Sequence, residues 1–227
     1  MTNKIQIHHQ ADVMVITVNN PPINAGSTEV RKGLLDAIHL FHHDPNLAAA
    51  VIIGGGTTFI AGSDIKEFSQ PLAEPHLPTV IAAIEECPKV VVCALHGAAL
   101  GGGFELALAC DARIALEGAV VGLPEVTLGI IPGAGGTQRL PRLIGIEKSI
   151  EVICSGVRIK AAEALKLGIV DRVVPDHLLV NAIEYARSLI GKKSRIRDKV
   201  VPHAQADAIQ AASQKALKAG KHRPNVQ

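Results

Sequence analysis

Tryptophan is absent from the 227 residues, tyrosine occurs once, and aromatics make up 2% of the chain. Proteins that hold single-stranded nucleic acid stack its bases on aromatic rings, so a surface of that kind is unsupported. Charge of one sign is lacking too: 23 Lys and Arg stand against 21 Asp and Glu, a formal net charge of +2. That balance supplies no field to attract nucleic acid or an anionic membrane. Long apolar runs are missing. The clearest, Leu47 to Ile53 and Val90 to Leu95, are far too short to span a bilayer, so no membrane span is expected. Met1 to Gln10 is polar and lacks the apolar stretch of a secretory signal. The cytoplasm is the expected compartment, with an organelle address left open.

Several chemical signatures are also missing. There is no G-x-x-x-x-G-K-[ST] phosphate loop and no G-x-G-x-x-G after a strand, so neither a P-loop hydrolase nor a dinucleotide site is visible. No G-x-S-x-G elbow occurs, which counts against an α/β-hydrolase. Cys87, Cys93, Cys110 and Cys154 form no C-x-x-C pair and sit in core-like sequence, which reads as buried thiols in a reducing compartment. The pairs His8-His9 and His42-His43 lack metal-site spacing and read as solvated surface. No metal and no separate cofactor is expected.

What is present is a chain 48% hydrophobic, long enough for one domain with a full core. Strand signals at Val13 to Val18, Ala49 to Ile53, Val90 to Leu95, Arg113 to Leu116 and Ala119 to Gly122 alternate with helical periodicity. The helical segments begin after Ser27, a plausible N-cap, and continue at Thr79 to Glu86, Gly101 to Ala109, Gly135 to Leu143, Glu147 to Cys154, Ala161 to Leu167 and Leu178 to Ile190. The alternation predicts an α/β fold. After Ile190 the chain turns basic and polar, with an Ala-rich helix candidate at Asp207 to Ala219 and a linker or frayed end from Gly220. Residues 1–192 are therefore assigned to the domain, and 193–227 to a basic linker and short helical tail.

Four segments carry candidate chemistry. Ala61-Gly62-Ser63-Asp64-Ile65-Lys66 follows a buried strand, at the strand end where α/β folds place ligands. Gly101-Gly102-Gly103-Phe104-Glu105 brings flexible backbone to a helix start whose N–H groups are unsatisfied and favour negative charge. Taken alone, such a glycine run is as well explained by tight helix packing. Pro124-Glu125 follows, then the glycine-rich Gly129 to Leu140. By itself Glu105 fits a glutamate placed for the helix dipole, Glu125 an exposed loop carboxylate, and Lys66 a solvated lysine. Arg139 and Arg142 read as structural or surface residues.

Together these segments resemble the enoyl-CoA hydratase/isomerase (crotonase) family. The resemblance rests on H-G-A-A-L-G-G-G-F-E-L-A-L-A-C-D, then G-L-P-E, then G-I-I-P-G-A-G-G-T-Q-R-L, with P-P-I-N-A and A-G-S-D-I-K-E upstream. It covers roughly residues 10 to 190. It implies a right-handed spiral of ββα repeats with flanking helices, and an acyl-CoA substrate whose coenzyme A is not a separate cofactor. By motif position, it implies an oxyanion hole of the Ser63 and Gly102 backbone N–H groups, and proton transfer by Glu105 and Glu125. Ala61, Ser63, Asp64, Ile65, Lys66, Gly101 and Gly102 are implied as substrate-binding. The chemistry suits these groups. Adding water to C3 of a 2-enoyl thioester builds negative charge on the thioester oxygen, and each preorganised N–H donor can stabilise it by roughly 3 kcal/mol. One carboxyl group can take the proton of water while another supplies C2. Which does which is open at the level of sequence.

The tail departs from the pattern of stand-alone members. Ser194 to Pro224 resembles the linker after the hydratase domain of multifunctional β-oxidation enzymes, as does the short Gln70 to Glu86 region. That resemblance implies either a covalently linked 3-hydroxyacyl-CoA dehydrogenase or a homotrimer or larger assembly. The expected function is reversible syn hydration of 2-enoyl-CoA in fatty-acid β-oxidation, with Δ3,Δ2-isomerase activity beside it. The alternatives are another crotonase-fold enzyme, an isomerase or thioester hydrolase, and a non-catalytic acyl-CoA-binding domain.

Overall fold

The structure, a computed structural model, describes residues 4–64, 66–67, 71 and 73–220. Ile65, Gln70 and residues 221–227, all named above, lie outside the described residues.

Six strands form the main sheet: β1 (Ile5–Gln10), β2 (Val13–Val18), β3 (Ala49–Gly54), β4 (Val90–Leu95), β6 (Ala112–Leu116) and β9 (Arg172–Val174), in the order β1-β2-β3-β4-β6-β9. Only the β1–β2 pair is antiparallel. A second sheet joins β5 (Ala98–Leu100), β7 (Val120–Gly122) and β8 (Ile159–Lys160). Two isolated parallel bridges, Ile60 with Ala99 and Gly26 with Ser63, extend that sheet across the loop that follows β3. The chain thus visits the main sheet, turns into the second layer, runs into a helix, and returns. β4-β5-α3 (Gly102–Ala109) is the clearest such turn, and β2 to Gly26 to α1 (Thr28–His43) and β3 to Ile60 to α2 (Leu77–Glu86) repeat it. This is the crotonase-like spiral of ββα repeats.

The Val-rich strands read as continuous apolar runs because both faces are buried, as in covered parallel sheets. Alternation divides them. Val91, Cys93 and Leu95 of β4 point into the main core with α1, α2 and α3, whereas Val90, Val92 and Ala94 pack under α7 (Leu178–Ser188) through Leu178, Ala182 and Ala186. Each such side chain taken fully from water stabilises the fold by roughly 1.5–3 kcal/mol. Ser27 caps α1 through its side chain, which accepts from the Val30 N–H.

β5, β8 and β9, of two or three residues each, and β1 are absent from the strands that the sequence predicts, and β1 is the longest of them. It is an edge strand whose His8, His9 and Gln10 are exposed, so its sequence carries little of the apolar alternation that marks a half-buried strand. The pairs His8-His9 and His42-His43 are exposed, as their sequence suggests. The thiols of Cys87, Cys93 and Cys110 are buried and free, with Cys93 Sγ 3.2 Å from Cys110 Sγ. Residues 193–198, assigned to the linker from composition, are bound to the core. Asp111 accepts from the Val91 N–H, the Ser194 N–H and Lys193 Nζ at 2.8, 2.8 and 3.0 Å, and Ile196 is 1% exposed. Basic residues here satisfy buried acceptors, which composition does not reveal. Between α3 and α7 lie α4 (Gly136–Ile144), α5 (Ile146–Ser155) and α6 (Ala161–Lys166), and beyond residue 198 α8 (Ala206–Ala219) lies against α5. No helix among the described residues is long and apolar enough to cross a membrane.

Candidate active site

One cavity of about 580 Å³ collects most of the sequence-predicted residues. Ala61, Ser63, Asp64, Gly101, Gly102, Glu105 and Glu125 all line it. Lys66 is not in its lining; its N–H donates to Asp64 Oδ1 at 3.1 Å on the exposed side of the loop.

The three glycines that open α3 have three different reasons. Gly101 holds φ 53° and ψ −128°, a conformation that L side chains rarely adopt, and a Cβ there would lie 3.1 Å from Glu125 Oε1. Gly102 faces the cavity, where a Cβ would come within 2.9 Å of Ser63 Oγ and 2.8 Å of Leu77 Cδ2. Gly103 packs: a Cβ would meet the Ile60 carbonyl oxygen, so nothing larger lets α3 approach the segment after β3. Tight packing and close ligand approach are therefore both present, one residue apart.

Ser63 is placed by the neighbouring backbone. The Gly26 N–H donates to the Gly62 carbonyl at 2.9 Å, and the Ala61 N–H to the Ile23 carbonyl at 3.1 Å. The N–H groups of Ser63 and Gly102 have no acceptor among the described residues. For Gly102 this follows from its place in the first turn of a helix. Two donors are thus left free on neighbouring residues that line the cavity.

Glu105, in the first turn of α3, is 2% exposed. Its Oε1 accepts the N–H groups of Ala134 and Gly136, each at 2.8 Å. Burial pushes its carboxyl above the usual range, while these two donors and the Arg139 charge oppose that shift. Glu125 opens a 3-10 turn, Glu125–Leu128, directly after β7 and Pro124. Contrary to an exposed loop carboxylate, it is 8% exposed, and its buried Oε2 has no partner among the described residues. Burial raises its carboxyl to about 7; its own backbone N–H opposes that shift, and the charge of Glu105 adds the smallest of the three effects, upward. Two carboxyl groups in one cavity therefore differ in kind: one is fastened by two donors that favour its ionised form, the other is poised to hold a proton near neutrality.

Sequence reasoning missed the residues that fasten Glu105. The glycine-rich segment 129–136 loops back so that Ala134 and Gly136 donate to it, and Gly135, at φ 97°, makes the turn. Glycine density was the available signal; its target was not. Arg139 is structural, with Nε on Glu85 Oε1 at 2.8 Å and Nη1 on the Ala134 carbonyl at 3.1 Å, so it steadies the same loop. Leu128, Ile130 and Ile131 form an apolar wall. Ile130 and Ile131 also border a groove of about 420 Å³ that runs between α5 and α8.

Residues 8–223 match the family model described as enoyl-CoA hydratase/isomerase. The chain is 51% identical over 180 residues to a peroxisomal bifunctional enzyme of Danio rerio, a match covering 79% of this chain and 25% of that protein. It therefore spans about a quarter of that relative's length. It is 44% identical over 198 residues to a probable enoyl-CoA hydratase of Bacillus subtilis, covering 84% of this chain and 76% of that one. Among solved structures, an enoyl-CoA hydratase from Bacillus anthracis superposes with a TM-score of 0.78 at 34% identity, covering 97% of this chain and 92% of that one. With the fold, the paired carboxyl groups and these matches in agreement, the chain is a member of the enoyl-CoA hydratase/isomerase family of enzymes.

Proposed function

We propose that this site reversibly hydrates 2-enoyl thioesters of coenzyme A to 3-hydroxyacyl thioesters, adding water and proton to one face, as a step of fatty-acid β-oxidation. One observation carries the reading: Glu105, fastened by two N–H donors, and Glu125, whose buried Oε2 has no partner among the described residues and whose carboxyl burial raises to about 7, share a cavity with two free N–H donors. The thioester oxygen accepts from Ser63 N–H and Gly102 N–H. The Glu105 carboxylate takes a proton from water as its oxygen bonds to C3. The C2–C3 π electrons move to form the enolate, whose charge rests on the thioester oxygen. Glu125 then gives its proton to C2 and the carbonyl re-forms. Proton exchange with solvent returns both carboxyl groups to their starting states. Donors aimed at the developing oxyanion supply roughly 3 kcal/mol each, and positioned acid and base roughly 10²–10⁴-fold in rate. The acyl chain lies along Leu128, Ile130 and Ile131.

A second activity has its own support. Moving a double bond from C3 to C2 needs one carboxyl group that removes a proton from C2 and returns it to C4 while the enolate is held. The partnerless Oε2 of Glu125 and its titration near neutrality suit that shuttle.

The test is incubation with crotonyl-CoA, following loss of the conjugated thioester absorbance and gain of one water by mass. Turnover to the 3-hydroxy product is expected. Binding without turnover would make this a non-catalytic acyl-CoA-binding domain, release of free thiol a thioester hydrolase, and conversion of 3-enoyl to 2-enoyl substrate without hydration an isomerase alone.

A further inference from the structure

We propose that Arg31 is a positioning residue for the oxyanion donors: its guanidinium ties together the two chain segments that set Ser63 and Leu77 against Gly102. The inference rests on the hydratase reading above.

Arg31 lies in the first turns of α1, far in sequence from either glutamate, and its side chain is 9% exposed. A guanidinium has five N–H donors, and here five bonds leave it. Nε donates to the Pro75 carbonyl at 2.7 Å. Nη1 donates to the Gly26 carbonyl and to Glu67 Oε2, both at 2.9 Å. Nη2 donates to Thr28 Oγ1 at 2.9 Å and to the Ala73 carbonyl at 3.1 Å. Glu67 is held again from the start of α1, where its Oε1 accepts from the Thr28 N–H at 2.7 Å and the Thr28 hydroxyl at 2.9 Å.

These bonds converge on the cavity from two directions. Gly26 pairs with Ser63 as a parallel bridge and fixes the Gly62 carbonyl, so Arg31 and Glu67 hold the Ser63 segment at its neighbouring strand and four residues downstream. Ala73 and Pro75 lead into α2, whose first residue, Leu77, packs against Gly102 closely enough that a Cβ there would lie 2.8 Å from Leu77 Cδ2. A planar fork satisfies this set of divergent acceptors and a lysine ammonium cannot. Arg31 lines the cavity, but all five of its N–H donors are taken up by the protein, which leaves none for substrate; misplacing reacting groups by about 1 Å costs on the order of 100-fold in rate, so it governs turnover through where it holds the donors.

The experiment combines steady-state hydration of crotonyl-CoA with the infrared carbonyl stretch of bound, carbonyl-labelled substrate in wild type and Arg31→Lys. In wild type the two donors should lower the stretch relative to free substrate. In folded Arg31→Lys, turnover should fall about 10- to 100-fold, KM should change much less, and part of the carbonyl shift should be lost. Wild-type turnover, or reduced turnover with the full carbonyl shift, would overturn the inference and leave the hydratase reading standing. If Arg31→Lys does not fold, Glu67→Gln, which removes one charged partner, should show the same two changes more weakly, and an unchanged stretch there overturns the inference. A wild-type protein that neither lowers the stretch nor hydrates the substrate would sink the hydratase reading itself.

Discussion

Replacing Glu105 with glutamine separates charge from shape. The glutamine carbonyl can occupy the place of Oε1 and keep both 2.8 Å bonds from Ala134 and Gly136, with its amide nitrogen where Oε2 stood. The fold should therefore persist, because the change removes a carboxylate that burial disfavours and retains its donors. Catalysis should not persist. Without a base for water, hydration should drop about 10²–10⁴-fold, or about 2.7–5.4 kcal/mol at 1.36 kcal/mol per decade. A second readout follows from the electrostatics. Burial is the main cause that raises Glu125 to about 7, and the Glu105 charge adds a smaller push. Removing that charge leaves burial, so the Glu125 midpoint should fall below about 7 yet remain above its ordinary value of 4.5. Steady-state kinetics on crotonyl-CoA gives the first quantity, and a carboxyl-carbon NMR titration of labelled glutamate the second. A folded variant that hydrates at the wild-type rate would refute the two-carboxylate account, and a Glu125 midpoint that rises would refute the charge coupling between the two groups.

Gly102→Pro should lower turnover by about two orders of magnitude or more, the usual effect of losing one oxyanion donor. The first helical position tolerates proline, but its Cβ would press on Leu77 Cδ2 and Ser63 Oγ, so the assay is paired with circular dichroism, and a folded variant with near-normal hydration would sink the assignment of Gly102. Both reaction directions require the pair to carry one proton, so kcat/KM for hydration and dehydration should decline together as pH rises through about 7; opposite trends in the two directions would count against the mechanism. The same proton affects stability. Folded Glu125 keeps its proton to about 7 whereas an unfolded glutamate loses it near 4.5, so the native state binds more protons in that window and Tm should fall as pH rises across it. Glu125→Gln should flatten that slope. Hydration should be unaffected by excess EDTA, and a requirement for an added divalent ion would contradict a site that relies on N–H donors and carboxyl groups.

Much of the architecture is local information. The apolar strands Val13–Val18 and Val90–Leu95, the Ser27 cap and the glycine run into α3 act through neighbours in the chain, and all are visible in sequence order. So are Glu105 and Glu125, because the motifs that carry them are contiguous. What their environments are depends on residues far away. The Ala134 and Gly136 donors reach Glu105 across 29 and 31 positions, and burial of Glu125 depends on how the 3-10 turn after β7 closes over the cavity. Arg31 gives no sign in sequence that it will fasten segments 36 to 44 residues away. Nor does the basic composition of 193–198 show that Lys193 and Ser194 will satisfy Asp111. By itself the sequence determined the longer buried strands, most of the helices and the family, since propensity, capping and motif spacing are properties of adjacent residues. Only the tertiary structure decided that Glu105 is fastened by two N–H donors while the buried Oε2 of Glu125 is left without a partner among the described residues, because desolvation and hydrogen bonding are set by what the fold brings alongside.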